Sequence, residues 1–246
     1  MRKLEFALAA MVGMILAAPV HAEEADPPPS VTISGGATVI SDYRFRGISQ
    51  SNRRAAIQGT ATISHKSGFY ASVWGSSIDD YIADNGTELD FVGGYKRNIG
   101  RSTVDVGVTY YHYPNSTFQF SDFYEVYGSL SHTLGPVTGK VSVIYAPKQQ
   151  ALSVDGVNKE DSLYVGGDLS AGIPQTPISL NAHVGRSFEK SYLTFGQKYT
   201  DWSLGATYTW RNLALGVSYV DTNKDILAGP RNVSKAGIVG SLAVSF

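Results

Sequence analysis

The chain has 246 residues, among them 26 glycines and 15 tyrosines, with 20 basic and 21 acidic side chains and no cysteine. A net charge of −1 gives no footprint for nucleic acid, and the lack of cysteine excludes disulfide staples, thiolate metal sites and thiol redox chemistry. Past residue 22 no apolar run approaches the roughly 20 residues of a spanning helix, so a membrane form of this chain would cross as strands.

Met1 to Ala22 reads as a cleaved signal peptide. Arg2 and Lys3 form a basic n-region, Phe6 to Ala18 a mostly apolar core, and Val20-His21-Ala22 a small-residue cleavage site. Glu23 to Ser30 (EEADPPPS) is a flexible lead-in with nothing to bury. Residues 31–246 form the remaining unit. Removing the signal takes away two basic residues and one acidic residue, leaving 18 against 20 and a net charge of −2.

Period-2 alternation predicts twelve strands. The first six lie at about 31–45, 55–65, 69–77, 87–97, 102–113 and 121–133. The second six lie at about 137–146, 161–172, 178–188, 198–210, 212–222 and 235–246. Connections after even-numbered strands are tight and carry Gly, Pro or Asn: Lys66-Ser67-Gly68, Asn98 to Arg101, Leu134-Gly135-Pro136, Ile173 to Pro177 and Arg211-Asn212. Connections after odd-numbered strands, such as Arg46 to Arg54, Ser77 to Gly86, Pro147 to Glu160 and Thr222 to Ser234, are longer and polar. An even strand number with short turns at one end and long loops at the other is the arrangement of a transmembrane antiparallel β-barrel. It places both termini and the short turns in the periplasm of a Gram-negative bacterium.

The faces agree. Val104, Val106, Val108 and Tyr110 oppose Asp105, Gly107, Thr109 and Tyr111; Leu204, Ala206 and Tyr208 oppose Ser203, Gly205 and Thr207. In the last strand Ile238, Leu242 and Val244 share a parity that ends on Phe246, the candidate C-terminal assembly signal for the barrel-assembly machinery. Aromatic residues concentrate at both strand ends, as two membrane interfaces select. One expected belt holds Tyr43, Phe45, Tyr110, Tyr113, Phe123, Tyr124, Tyr145, Tyr164, Phe188, Tyr199, Trp202 and Tyr219; the other holds Phe69, Tyr70, Tyr95, Tyr208, Trp210 and Phe246. A secreted sandwich with polar outer faces is the competing fold.

Several segments carry a resemblance: SGGATVISDYRFRGISQS (Ser34 to Ser51), YASVWGSS (Tyr70 to Ser77), ELDFVGGYK (Glu88 to Lys96), VGVTYYHYP (Val106 to Pro114) and YEVYGSLS (Tyr124 to Ser131). Together they resemble the TorF-type porins, a proteobacterial family also known as Gcw_chp, with Asp42 to Gln50 the most specific part. The resemblance implies an outer-membrane barrel of channel function and brings no substrate and no catalytic residues.

Parity sends Arg44, Arg46, Lys96 and Lys140 into the lumen, with Asp42, Glu88, Asp90, Asp105, Glu125, Asp168 and Asp201. Charges inside a membrane barrel line water or pair with one another. The set is therefore either a constriction that selects small polar or charged solutes or an ion-paired plug. Four cations against seven carboxylates predict a weak cation preference if the pore is open. Arg44 and Arg46 are expected to meet an acidic wall such as Glu88 or Asp90, and Pro147 to Glu160 is a candidate to fold inward. A closed structural or surface-interaction barrel is the alternative, its exterior partners being lipid and lipopolysaccharide.

An enzyme reading is weaker. A lipid hydrolase needs a serine activated by an oriented histidine. Only His183 points inward, with Ser179 and Asn181 on its face, and no G-x-S-x-G motif is present. Asp79-Asp80, with Asp84 and Glu88, could hold Ca²⁺ in a long loop but reads more simply as a solvated face. No metal or cofactor is expected, and Gly93-Gly94 and Gly166-Gly167 are strand glycines at bends rather than phosphate cradles.

Overall fold

The computed structural model describes residues 29–84, 86–114, 116–117 and 120–246. The expected signal peptide and most of the lead-in lie outside these residues. Twelve strands close into one antiparallel barrel: β1 (Val31–Ile40), β2 (Ala56–His65), β3 (Phe69–Ser77), β4 (Thr87–Ile99), β5 (Ser102–His112), β6 (Phe123–Leu134), β7 (Val137–Gln149), β8 (Glu160–Gly172), β9 (Ile178–Ser187), β10 (Tyr199–Trp210), β11 (Leu213–Thr222) and β12 (Gly237–Ser245). Each strand pairs with its sequence neighbours, and β1 closes the ring between β2 (Ile40 opposite Ala56) and β12 (Gly36 opposite Ser245). Closure removes every sheet edge, so all ladder groups are satisfied without water. The described residues contain no helix long and apolar enough to cross a membrane.

The barrel is inverted relative to a soluble one. Leu204, Leu215, Val217, Val141 and Ile238 are exposed on the outside, while Asp105, Thr109, Asn181 and Thr207 are buried inside. A continuous exposed Val/Leu/Ile band of this size is stable against lipid and not against water. A sandwich with a dry Val/Leu interior is excluded by the same observation. The turns at one end are tight, as the sequence predicts, and at Gly68 the chain takes φ +106, a value open to glycine. The other end carries the long connections.

The first strand differs from the expectation. It stops at Ile40 rather than 45, because the chain turns into the barrel. Arg44–Phe45 pairs with Ile48–Ser49 as a small hairpin of its own, and every residue from Asp42 to Ser51 is buried. Alternation of polar and apolar residues continues through Asp42-Tyr43-Arg44-Phe45, so the period alone could not reveal the break. Leaving the wall lets both parities be buried at once. Tyr43 packs edge-on against Trp74 with ring centroids 5.3 Å apart, and Phe45 against Tyr111 at 6.1 Å.

The long-loop aromatic belt is corrected accordingly. Tyr110, Tyr124, Tyr145, Phe188 and Tyr219 are exposed on the outside, but Tyr43, Phe45, Phe123, Tyr164 and Tyr199 are buried around the inserted segment. At the short-turn end Phe69, Tyr208, Trp210 and Phe246 are exposed as expected, whereas Tyr70 turns inward and donates to Asp105 at 2.8 Å. Strand glycines make room for such inward rings: a Cβ at Gly185 would overlap the Tyr164 hydroxyl, and one at Gly94 the Tyr70 ring.

Candidate functional site

The tip of the inserted hairpin is Arg46-Gly47. Both residues have positive φ, 49° and 79°, as a two-residue turn with the right twist requires. Gly47 adopts this freely. Arg46 does so at a cost of order 1 kcal/mol, and the contacts of its side chain account for its being held there.

Those contacts cross the lumen. Arg46 Nη2 donates to both oxygens of Glu125 on β6, at 2.8 and 2.7 Å, and neither side chain is more than 2% exposed. The guanidinium carbon lies 4.5 Å from the Phe45 ring centroid and 4.6 Å from that of Tyr164 on β8, so the cation is sandwiched between two rings. Tyr111 on β5 donates to Glu125 Oε2 at 2.9 Å, and Tyr199 on β10 donates to the Arg46 carbonyl at 2.9 Å. Burial acts to discharge Arg46, but the Glu125 carboxylate outweighs it and holds the guanidinium firmly charged.

Arg44 fastens the base of the hairpin. Its Nε donates to Asp42 at 2.6 Å, and its other nitrogens donate to the carbonyls of Gly47 at 2.9 Å and Lys235 at 3.1 Å. Ser49 donates to the second Asp42 oxygen at 2.6 Å, and its backbone N–H to the Val233 carbonyl at 2.8 Å. Ile48, Tyr199, Ile226 and Val233 form a small apolar cluster beside it. The last long loop thus grips the first.

The expected partnership of Arg44 and Arg46 with Glu88 or Asp90 is therefore wrong in its pairing. Arg44 meets Asp42 and Arg46 meets Glu125, because the hairpin turns the two arginines to different walls. Glu88 and Asp90 are both 97% buried at the long-loop end of β4. Tyr113 donates to Glu88 Oε1 at 3.3 Å, while Glu88 Oε2 and Asp90 Oδ1 have no hydrogen-bond partner. Burial first, then the charges of Glu88 and Asp90, push the nearby Tyr43 hydroxyl well above its ordinary pKa.

Toward the short-turn end the remaining candidates pair along the wall. Lys96 lies 3.5 Å from Asp105, and Lys140 3.4 Å from Asp168. With Arg44–Asp42 and Arg46–Glu125, eight of the eleven predicted lumenal charges are in ion pairs. Of the other three, Asp201 lies 3.3 Å from His183, and only Glu88 and Asp90 have no cationic partner among the described residues. Sequence reasoning missed the aromatic half of the site. Alternation and the belt account for Tyr111, Tyr164 and Tyr199, and nothing local marks them as partners of residue 46.

Pro147 to Glu160 does not fill the barrel. Only Leu152 and Ser153 of its middle are buried, with Leu152 packed on the Tyr43–Trp74 cluster, while Val154 and Val157 are exposed. His183 is fully engaged by Asp168 at 2.7 Å and by Tyr164 at 2.8 Å, so neither Ser179 nor Asn181 is the partner of its ring. A second histidine, His112, contacts Asp122 at 2.7 Å on the rim of a cleft of about 460 Å³. The serines lining that cleft donate to carboxylates, Ser116 to Asp84 and Ser121 to Asp122. Asp79, suggested for calcium, is bridged by Arg54 at 2.6 Å and Arg231 at 3.0 Å. No group of three metal-ligating side chains occurs among the described residues.

The fold is similar to that of outer-membrane porins. The NanC porin superposes with a TM-score of 0.57 at 13% identity, covering 87% of this chain and 99% of that one. The KdgM porin gives 0.56 at 8% identity, covering 87% and 98%. Outer membrane phospholipase A from Escherichia coli gives 0.51 at 11% identity, covering 91% and 94%. At these identities the likeness is one of fold alone. No curated protein matches in sequence. A family model described as "Bacterial protein of unknown function (Gcw_chp)" matches residues 24–246, so the chain belongs to the Gcw_chp family.

Proposed function

We propose that this chain is an outer-membrane channel of the porin type whose lumen is gated by its own segment Asp42–Ser51. Both termini and the short turns face the periplasm, the long loops face the exterior, and the Val/Leu/Ile band faces lipid. Small polar or charged solutes pass when the hairpin leaves the lumen. The observation that carries the reading is the hairpin itself. It is anchored by ion pairs, single hydrogen bonds and packed side chains rather than by a continuous backbone ladder with the wall, so it can leave as a unit without breaking the barrel. Cations are preferred over anions, because Glu88 and Asp90 remain when the four lumenal ion pairs and the His183–Asp201 contact are set aside.

Single-channel recording of refolded protein in planar bilayers tests this. Discrete openings with a cation-selective reversal potential are the expected result; anion selectivity would remove the preference. The complete burial of Asp42–Ser51 also favours a second reading, a barrel permanently closed by this segment that serves a structural or surface role. Silence from both the wild type and an Arg46→Gly variant would establish that reading. Catalysis is not part of the proposal, since His183 has no serine partner, and esterase activity lost on His183→Ala would overturn that exclusion.

A further inference from the structure

We propose that the seat of the Arg46 guanidinium is a recognition site for guanidinium-bearing solutes, occupied in the closed channel by the protein's own arginine. This rests on the gated-channel reading and names the solute class that would compete with the gate.

The seat belongs mainly to the wall. Glu125, Tyr111 and Tyr164 lie on strands β6, β5 and β8, so they stay in place when residues 42–51 move; only Phe45 leaves with the hairpin. A carboxylate beside an aromatic face suits a planar, delocalised and weakly hydrated cation better than a compact ammonium.

Arg46 fits that seat incompletely. One nitrogen, Nη2, makes both bonds to Glu125, while Nε and Nη1 have no partner although buried. Glu88 Oε2 and Asp90 Oδ1 are buried acceptors that also lack one. Donors left unmet in a buried seat are costly. The tethered head group is held in this incomplete fit, because its backbone is fixed by the Tyr199 hydrogen bond and by the turn. A free guanidinium carries the same charge and shape with no tether. Displacing Arg46 by an untethered cation also leaves the charge of the seat unchanged, whereas withdrawing the hairpin alone would leave Glu125 without its cation.

An intramolecular occupant competes at an effective concentration in the millimolar range. The site should therefore be weak in the wild type and stronger once Arg46 is removed. Methylguanidinium is the probe and methylammonium the control, with binding to the detergent-folded barrel followed by calorimetry. Arg46→Gly suits the positive φ of this position, and Arg46→Asn is a second variant for the same backbone; heat-modifiable gel mobility reports folding. The expected result is methylguanidinium binding at least tenfold tighter in Arg46→Gly than in the wild type, and at least tenfold tighter than methylammonium. Adding Glu125→Gln to Arg46→Gly should abolish it. Equal binding of the two cations, or binding indifferent to Glu125→Gln, overturns the inference. The calorimetry does not depend on conduction. Binding with silent bilayers keeps the seat and removes the channel, while conduction without binding removes the seat and keeps the channel.

Discussion

Arg46 and Glu125 meet at 2.7 Å inside the barrel, one from a hairpin between β1 and β2 and the other from β6, with both side chains withdrawn from solvent. Removing one member strands the other as a buried charge. Glu125→Ala should destabilise the folded barrel by about 3–5 kcal/mol. A paired Arg46→Met/Glu125→Leu replacement should cost much less than the sum of the singles. Urea unfolding in lipid vesicles measures all three, and additive single and double values would show that the pair is not coupled.

Ile48 has no exposed surface and packs with Tyr199, Ile226 and Val233. Ile48→Ala leaves the charges untouched and loosens the hairpin by about 2–4 kcal/mol. Open probability in bilayers should rise while the reversal potential stays constant. A variant with unchanged gating would indicate that the apolar cluster does not hold the segment in.

On β10, Leu204 is exposed on the outer face while its neighbour Ser203 faces the lumen. An arginine at 204 should cost about 2–4 kcal/mol of folding free energy in vesicles, as charge near the bilayer midplane does, whereas Ser203→Arg should cost less. Equal costs at the two positions would contradict the assignment of faces.

Asp155 organises the exposed loop after β7, accepting from the amides of Val157 and Asn158 at 2.8 Å each and from the Asn158 side chain at 2.7 Å. These bonds, those of the Asn158 and Val157 backbone above all, hold its carboxyl well below the ordinary range. A depressed pKa stabilises the folded loop at every pH above the unfolded value of about 4, and this is lost only as pH falls toward the folded value. Amide exchange at Val157 and Asn158 should therefore stay protected at pH 5 and open under strong acid. Asp155→Asn should weaken protection at neutral pH as well; protection independent of both changes would refute the role.

The twelve strands, their faces and the segregation of short turns from long loops were legible in the sequence, because each is a local consequence of period 2 and of turn chemistry. The lumenal charges were legible for the same reason: Glu88, Asp90, Lys96, Asp105 and Glu125 inherit their direction from the strand they sit on. What alternation could not reveal was that residues 41–55 leave the wall, since Asp42-Tyr43-Arg44-Phe45 keeps the rhythm of β1 while turning inward. The pairing of Arg46 with Glu125, 79 residues away, and the Phe45–Tyr164 sandwich depend on which strands face one another across a closed ring. Curvature and closure of the whole sheet set that distance, and no local pattern encodes it.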